Sequence, residues 1–94
     1  MARSKVAGAQ TGLLFTGGVT TLTVPDAAGA AEIYVEEAAI RFSRDGTAPT
    51  TFTGFIAEVT DIIMLNSHDD CESFKGTKDS PTTAKGNVEY FTTP

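Results

Sequence analysis

Apolar and polar residues alternate along two adjoining stretches of the chain, residues 31–36 and 40–43. In the second stretch, Ile40 and Phe42 stand on either side of Arg41. A β-strand sends successive side chains to opposite faces, so a period of two gives each strand one face to bury and one to expose to water. The pattern therefore predicts two strands, with Ile40 and Phe42 buried in a core and Arg41 on the opposite face.

A helix over residues 31–42 is the alternative, because alanine, glutamate and isoleucine are tolerated in helices. A helical face that held Ile33 and Ile40 would also carry Glu36, whereas the two strand faces separate apolar from charged side chains. We therefore favour two strands. A kink or bulge near Glu37-Ala38 would let them serve different parts of a sheet.

Short runs with strand character recur along the rest of the chain, separated by glycine, proline and polar residues. These runs are residues 13–15, 20–24, 55–59, 62–65, 73–77 and 87–92. Asp45-Gly46 predicts a tight turn after Ser43, since glycine tolerates a positive φ. Asn66 or Ser67 can cap one helical turn in the polar corner that follows residue 65. Seven or eight short strands predict an all-β domain, a small antiparallel β-sandwich or a jelly-roll-like fold.

The first ten residues are small, polar and basic, and they show no periodicity. Such a segment is typical of a flexible terminus. We therefore predict a basic N-terminal arm over residues 1–10, which contains Arg3 and Lys5, and a single β-sandwich domain over residues 11–94.

A continuous apolar run follows Asp61 in the sequence, and it comprises Ile62, Ile63, Met64 and Leu65. A run of this kind is typical of a strand that is covered on both faces. The core can cover one face, and a second subunit can cover the other, because an exposed apolar strand invites aggregation. The sequence therefore predicts a homo-oligomer whose interface includes these four residues, with Arg3 and Lys5 of the arm reaching an acidic neighbour.

The formal net charge of −5 changes the list of expected partners. An acidic domain repels phosphate backbones, so we expect no nucleic-acid partner. No stretch approaches the roughly 18 apolar residues of a membrane helix, so we expect no membrane partner and a soluble protein. The lone Cys71 excludes an internal disulfide and fits folding in a reducing cytoplasm.

The segment His68-Asp69-Asp70-Cys71-Glu72 is the one cluster in the sequence with metal-ligand side chains. Its residues are contiguous, so their side chains diverge in any regular conformation, and no second histidine or cysteine completes a tetrahedral zinc site. The alternating acids and fixed glycine of a calcium loop are also absent. We therefore expect an acidic exposed corner, with no metal and no cofactor.

Catalytic chemistry has little support in the sequence. Acidic neighbours raise the pKa of a thiol, which disfavours Cys71 as a nucleophile and favours a partly buried structural role. Glu36 and Glu37 are adjacent on a predicted strand, so they face opposite ways and cannot share a substrate. The sequence contains no serine elbow, phosphate-binding glycine loop or dinucleotide fingerprint. We therefore expect a protein that is not an enzyme and has no catalytic residues.

Residues 39–91 resemble a class of short structural proteins encoded by tailed bacteriophages. The resemblance lies in the order and spacing of four segments: AIRFSRDGTAPT, GFIAEVTDIIMLNS, ESFKGTK and NVEYF. Proteins of this class are β-sandwich components of the virion, and several of them decorate or cement the capsid surface. The resemblance implies a non-enzymatic virion protein that is made in the host cytoplasm, most plausibly a capsid decoration or stabilising protein.

The resemblance also implies the partners of such a protein. These are further copies of the same chain, with a trimer favoured by the local three-fold positions of an icosahedral shell, and the major capsid protein or another virion protein. Two other functions remain open. A carbohydrate-binding or adhesin-like module of a tail or baseplate would show an exposed aromatic shelf, and a ligand-binding barrel or cupin-like enzyme would show a lined interior cavity.

Overall fold

The computed structural model describes residues 6–50, 53–79 and 81–92, and these ranges contain seven strands and one short helix. The elements are β1 (Val6–Phe15), β2 (Ala28–Glu36), β3 (Ile40–Ser43), β4 (Phe55–Ala57), β5 (Ile62–Leu65), α1 (His68–Ser73), β6 (Lys75–Lys78) and β7 (Ala84–Thr92). The prediction of a small all-β sandwich is confirmed, and so is the choice of two strands instead of a helix over residues 31–42.

The strands form two antiparallel sheets, which we call the large sheet and the small sheet. The large sheet has the order β1-β7-β2-β5, and the small sheet has the order β4-β3-β6. One apolar core lies between them. Its residues include Phe15, Ile33, Val35, Val88 and Tyr90 from the large sheet and Ile40, Phe42 and Ala57 from the small sheet.

The chain passes from the large sheet to the small sheet at Glu37. The amide of Ala38 donates a hydrogen bond to the carbonyl of Glu36 at 2.8 Å, and Glu37 between them has a φ of 73°. This is a γ-turn with a positive central φ, a rare conformation that reverses the chain within three residues. The predicted kink near Glu37-Ala38 is confirmed, and it places β2 and β3 in different sheets.

The predicted facing of β3 is also confirmed. Ile40 and Phe42 are buried, while Arg41 lies on the opposite face and its Nε donates to Asp79 Oδ1 at 2.7 Å. At the end of the strand, Gly46 adopts a φ of 86°, in agreement with the predicted Asp45-Gly46 turn. Alternation along a short strand was therefore sufficient to assign its buried side.

The prediction of a flexible arm over residues 1–10 is wrong for its second half. Val6–Gln10 belong to β1, which pairs with β7 from Val6 opposite Phe91 to Phe15 opposite Ala84. The hydroxyl of Tyr90 donates to Gln10 Oε1, which fixes this half of the strand against the core. The pairing uses backbone groups, and these do not depend on apolar side chains. Arg3 and Lys5 lie outside the described residues.

The prediction of a strand over residues 20–24 is wrong as well. Thr20 makes an isolated bridge to Gly76 of β6, and the rest of the segment has no strand partner. The amide of Thr23 donates instead to the side-chain oxygen of Gln10 at 3.0 Å. Leu22 and Val24 nevertheless pack against the core, which accounts for the alternation in the sequence.

The predicted helical turn after β5 is helix α1. Ser67 is its N-cap, and the Ser67 hydroxyl accepts a hydrogen bond from the amide of Asp70 at 3.0 Å. The helix carries Cys71 into the core and ends at Ser73, and the extended backbone of its C-cap, Phe74, leads into β6. The strand predicted over residues 73–77 therefore begins two residues later, at Lys75.

Candidate interaction surface

Large apolar side chains on the surface of the described residues are concentrated at the edges of the two sheets. These exposed residues are Val6, Leu14, Val19, Phe55, Ile56, Val59, Ile62 and Met64. Five of the eight fall between residues 55 and 64, on β4, β5 and the turn that joins them. We call those five, Phe55, Ile56, Val59, Ile62 and Met64, the apolar edge.

The apolar edge lies where both sheets end on the same side of the sandwich. Strand β4 is one of the two outer strands of the small sheet, and β5 is one of the two outer strands of the large sheet. Ile62 and Met64 keep 51% and 39% of their surface exposed, whereas Ile63 and Leu65 are buried in the core. The prediction of Ile63 and Leu65 as interface residues is therefore wrong, because the alternation of β5 turns them inward.

The backbone of β5 offers hydrogen-bonding groups on its open side. The amide of Val35 donates to the carbonyl of Asp61 at 3.1 Å, so this carbonyl points toward β2. Backbone groups along an antiparallel strand point alternately to its two sides. The amides and carbonyls of Ile62 and Met64 therefore point away from β2, which leaves them available to a further strand.

A tight turn over residues 58–61 holds β4 and β5 in place. The amide of Asp61 donates to the carbonyl of Glu58 at 3.0 Å, and Asp61 Oδ2 accepts from the amide of Glu58 at 2.8 Å. Thr60 has a φ of 77°, which is rare for a β-branched residue. Its amide donates to the carbonyl of Val35 at 2.9 Å. Strained residues of this kind persist where the surrounding contacts fix them.

Aromatic rings anchor the end of the apolar edge on the small sheet. Phe55 is 67% exposed, and its ring centroid lies 6.0 Å from that of the buried Phe42 on the neighbouring strand. The Arg44 guanidinium carbon lies 5.3 Å from the centroid of the Phe42 ring, which is within the range of a cation–π contact. One cation therefore borders this end of the edge, whereas Glu58 and Asp61 border the turn.

The remaining exposed apolar residues lie at the other side of the sandwich. Val6 and Leu14 belong to β1, the second outer strand of the large sheet, and Val19 lies in the connection that crosses toward β6. Leu13 packs against the core while Leu14 points outward. The large sheet therefore has exposed apolar side chains on both of its edge strands.

The acidic corner His68–Glu72 is built into α1. His68 Nδ1 lies 2.7 Å from the carbonyl of Ala28, and Nε2 lies 3.5 Å from Glu72 Oε2. The hydrogen bond to Ala28 raises the pKa of His68, and the Glu72 carboxylate adds to the rise. The described residues include no group of three side chains that could hold a metal ion.

Cys71 is fully buried. This burial, with a smaller contribution from the carboxylates of Asp70 and Glu72, raises the pKa of its thiol to about 11. Because only the thiolate reacts rapidly, we expect iodoacetamide at pH 8 to modify the folded protein far more slowly than the urea-unfolded protein. Glutathione serves as the control for an unhindered thiol. Equal rates for the folded and unfolded chains would contradict the buried position.

Comparisons with family models, curated proteins and solved structures found no match to this chain. Within the described ranges, no helix has the length and apolar character needed to cross a membrane. No pocket opens among the same residues.

The sequence predicted part of the apolar edge and missed the rest. Ile62 and Met64 were expected at an interface, and both are exposed on an edge strand. The sequence predicts a strand that contains Phe55, Ile56 and Val59, and it does not single these residues out for an interface. The signal for them was the Phe55-Ile56 pair, since two consecutive large apolar residues cannot both face one core from a strand.

Proposed function

We propose that this protein is a non-enzymatic structural component of a tailed-phage virion, a capsid decoration or stabilising protein that works as a homo-oligomer. The observation that carries the proposal is the apolar edge, where Ile62 and Met64 are exposed on a strand with an open side. An edge of this kind pairs readily with another chain. The assignment to a virion comes from the resemblance of residues 39–91 to phage structural proteins.

The amount of exposed apolar surface supports self-association. A chain of this length has a modest core, yet eight large apolar side chains of the described residues are exposed. Closed symmetry covers such surfaces without leaving another one open. A trimer is the symmetry that matches a three-fold position on an icosahedral shell, with the major capsid protein as the further partner.

The candidate catalytic groups do not favour an enzyme. Cys71 is buried with a raised pKa, so its thiolate is not accessible at neutral pH. Glu36 lies at the end of β2, and the chain reverses at Glu37, so the two carboxylates are not arranged as a pair. Each carboxylate has its own partner: Glu36 Oε2 accepts a hydrogen bond from Asn87 Nδ2 at 2.9 Å, and Glu37 Oε2 lies 3.9 Å from Lys85 Nζ.

A carbohydrate-binding module remains the alternative, but the position of the exposed ring favours association. Phe55 is the one aromatic residue among the large exposed apolar residues that the structure describes. Its ring is tilted against that of the buried Phe42, with the centroids 6.0 Å apart, whereas sugar stacking uses a flat aromatic platform. The apolar edge is therefore better suited to another protein surface.

We expect the wild-type protein to sediment as an oligomer at tens of micromolar, and Met64→Lys to sediment as a monomer. A lysine on an edge strand opposes pairing with another strand, because its charge would be buried in the junction. Glu89→Lys is the matched control, since Glu89 lies on β7, an inner strand of the large sheet, and the change should leave the oligomer intact. A strictly monomeric wild-type protein would remove the assembly argument.

The virion role is tested separately, by adding purified protein to phage particles that lack it. We expect the wild-type protein to co-sediment with the particles, and Met64→Lys to bind more weakly because its copies no longer bind together. If the oligomer forms but does not bind any such particle, the virion role is wrong. A glycan array would then test the carbohydrate-binding alternative.

A further inference from the structure

We propose that two copies of this chain join through a two-fold contact, in which β5 of each copy pairs antiparallel with β5 of the other. The two large sheets would then form one continuous sheet, in the order β1-β7-β2-β5-β5-β2-β7-β1. The inference rests on the proposed function, since it specifies the contact that builds the homo-oligomer. It concerns the apolar edge alone, so a three-fold contact would have to use another surface of the chain.

The opposite side of the sandwich is already covered by the chain itself. Thr20 lies between β1 and β6: its hydroxyl donates to the carbonyl of Leu14 at 3.0 Å, and its amide donates to the carbonyl of Gly76 at 2.7 Å. The carbonyl of Thr16 accepts from the amide of Lys78 at 3.1 Å. The connection between β1 and β2 therefore covers the outer edges of β1 and β6. In the part of the chain that the structure describes, no such segment lies along β5.

The backbone of β5 fixes one register for the pairing. Its outward amides and carbonyls belong to Ile62 and Met64, because the alternate residues of the strand bond to β2. All of these groups are used when Ile62 pairs with Met64 of the second copy and Met64 pairs with Ile62 of the second copy. The two-fold axis then passes through Ile63, so the contact is self-complementary.

Other registers need residues outside the strand. A shift in one direction brings in Thr60, whose amide already donates to the carbonyl of Val35 and whose φ of 77° is not extended. A shift in the other direction brings in Asn66, which lies beyond the end of β5 at Leu65. The register centred on Ile63 is therefore the one that β5 satisfies with its own residues.

The side chains of the outer face match in the same register. Each Ile62 lies directly opposite Met64 of the second copy, where the two exposed apolar side chains can bury each other in part. On β2, Tyr34 lies beside Ile62, and Glu32 lies beside Met64. A row across the junction therefore reads Glu32, Met64, Ile62 and Tyr34, with the last two from the second copy. No acidic side chain in this row lies opposite another acidic one.

The two-fold contact also brings the two small sheets together. The axis that relates two antiparallel strands of one sheet is perpendicular to that sheet, so both small sheets lie on the same face of the continuous large sheet. Because β4 and β5 lie at the same side of the sandwich, β4 of each copy then faces β4 of the other. Phe55 is on this strand and is 67% exposed. The contact therefore explains why apolar side chains are exposed on both sheets at this side.

Cysteine cross-linking at two exposed positions tests the register. Disulfides join cysteines whose Cα atoms are about 4.4–6.8 Å apart. In the proposed contact, residue 62 lies about 5.5 Å from residue 64 of the second copy, but about 7–8 Å from residue 62 of the second copy. We expect an equimolar mixture of Ile62→Cys and Met64→Cys to form a mixed disulfide under mild oxidation, and neither variant alone to form one. Intact mass spectrometry identifies the mixed dimer.

Two controls accompany the cross-linking. The wild-type chain, in which Cys71 is fully buried, should form no disulfide dimer. Leu14→Cys is the matched control, because Leu14 is 52% exposed but lies on β1, whose edge is covered. Its mixture with Met64→Cys should form no mixed disulfide. A yield equal to that of the Ile62→Cys and Met64→Cys mixture would contradict the proposal.

The outcomes separate this inference from the proposed function. If the wild-type protein sediments as an oligomer but the mixture does not cross-link, or if either variant cross-links alone, the two-fold register is wrong and the homo-oligomer stands. An assembly of three copies has the same meaning, since a two-fold contact gives an even number of copies. A monomeric wild-type protein overturns both. If the mixed disulfide forms but wild-type oligomers do not bind phage particles, the inference stands and the virion role fails.

Discussion

Phe15→Ala is expected to lower the free energy of unfolding by about 3–5 kcal/mol, a large part of the stability of a small domain. The ring is fully buried, and two glycines make room for it. A Cβ on Gly76 would lie 2.7 Å from Phe15 Cε1, and one on Gly86 would lie 2.9 Å from Cε2. Phe74 packs edge-on against the same ring, with the centroids 6.4 Å apart. Removing the ring therefore leaves a cavity between the two sheets that rigid neighbours cannot fill.

Urea unfolding followed by circular dichroism measures the loss, and it is best carried out in the Met64→Lys background so that assembly does not contribute. Leu14→Ala is the matched control, because Leu14 immediately precedes Phe15 on β1 and is 52% exposed. We expect the control to cost less than about 1 kcal/mol. Comparable losses at Phe15 and Leu14 would show that β1 does not face the core as described.

Phe42→Ala is expected to cost about 3–5 kcal/mol as well, for a different reason. Phe42 lies on β3, between β4 and β6 of the small sheet, and its side chain packs into the core. Its ring stacks on Phe74 at 6.0 Å with an interplanar angle of 22°, and it also meets the ring of Phe55. Offset stacked pairs add to the free energy gained from burial alone. The substitution removes both contacts at once.

The control for Phe42 is the same substitution at Phe55, across the β3–β4 pair. Phe42 is 6% exposed and Phe55 is 67% exposed, so burial is the main difference between the two sites. We expect Phe55→Ala to cost about 1 kcal/mol or less in the same denaturation experiment. If Phe42→Ala costs under about 1 kcal/mol, the assigned facing of β3 is wrong.

The strands that the sequence predicted best are those with one buried face. In β2 and β3, apolar alternation reports the core side, and the break at Glu37 marks the change of sheet. The cap of α1 was predictable for a local reason, since Ser67 hydrogen-bonds within its own turn. These features depend on residues close in sequence, which is why one sequence was sufficient.

The first half of β1 could not be predicted in this way. Ala7, Gly8 and Ala9 show no alternation, and their strand conformation comes from backbone pairing with β7, far along the chain. Around Leu22 and Val24 the sequence predicts a strand where the structure has none. Both side chains pack on the core, but the backbone there has no strand partner. Alternation reports which side chains are buried, and it does not report whether the backbone is paired.

The same distinction applies to the apolar edge. The run Ile62–Leu65 predicts a strand with two apolar faces. Which of these faces is buried depends on the place of the strand in the sheet. Its position beside β2 at the end of the large sheet leaves Ile62 and Met64 exposed. Whether a strand is central or outer is a property of the whole topology, so the four residues could not be separated from the sequence alone.

The position of β7 has a consequence for folding. β7 lies between β1 and β2, so the large sheet is completed when a late segment inserts between two earlier ones. Closing the long intervening loop costs entropy before any contact is gained, and topologies rich in such pairings fold in milliseconds to seconds. During that interval β2 has an open side, with Ile33 and Val35 uncovered by β7. The chain is therefore most exposed to aggregation while it folds, and a host with abundant chaperones would raise the yield of native protein.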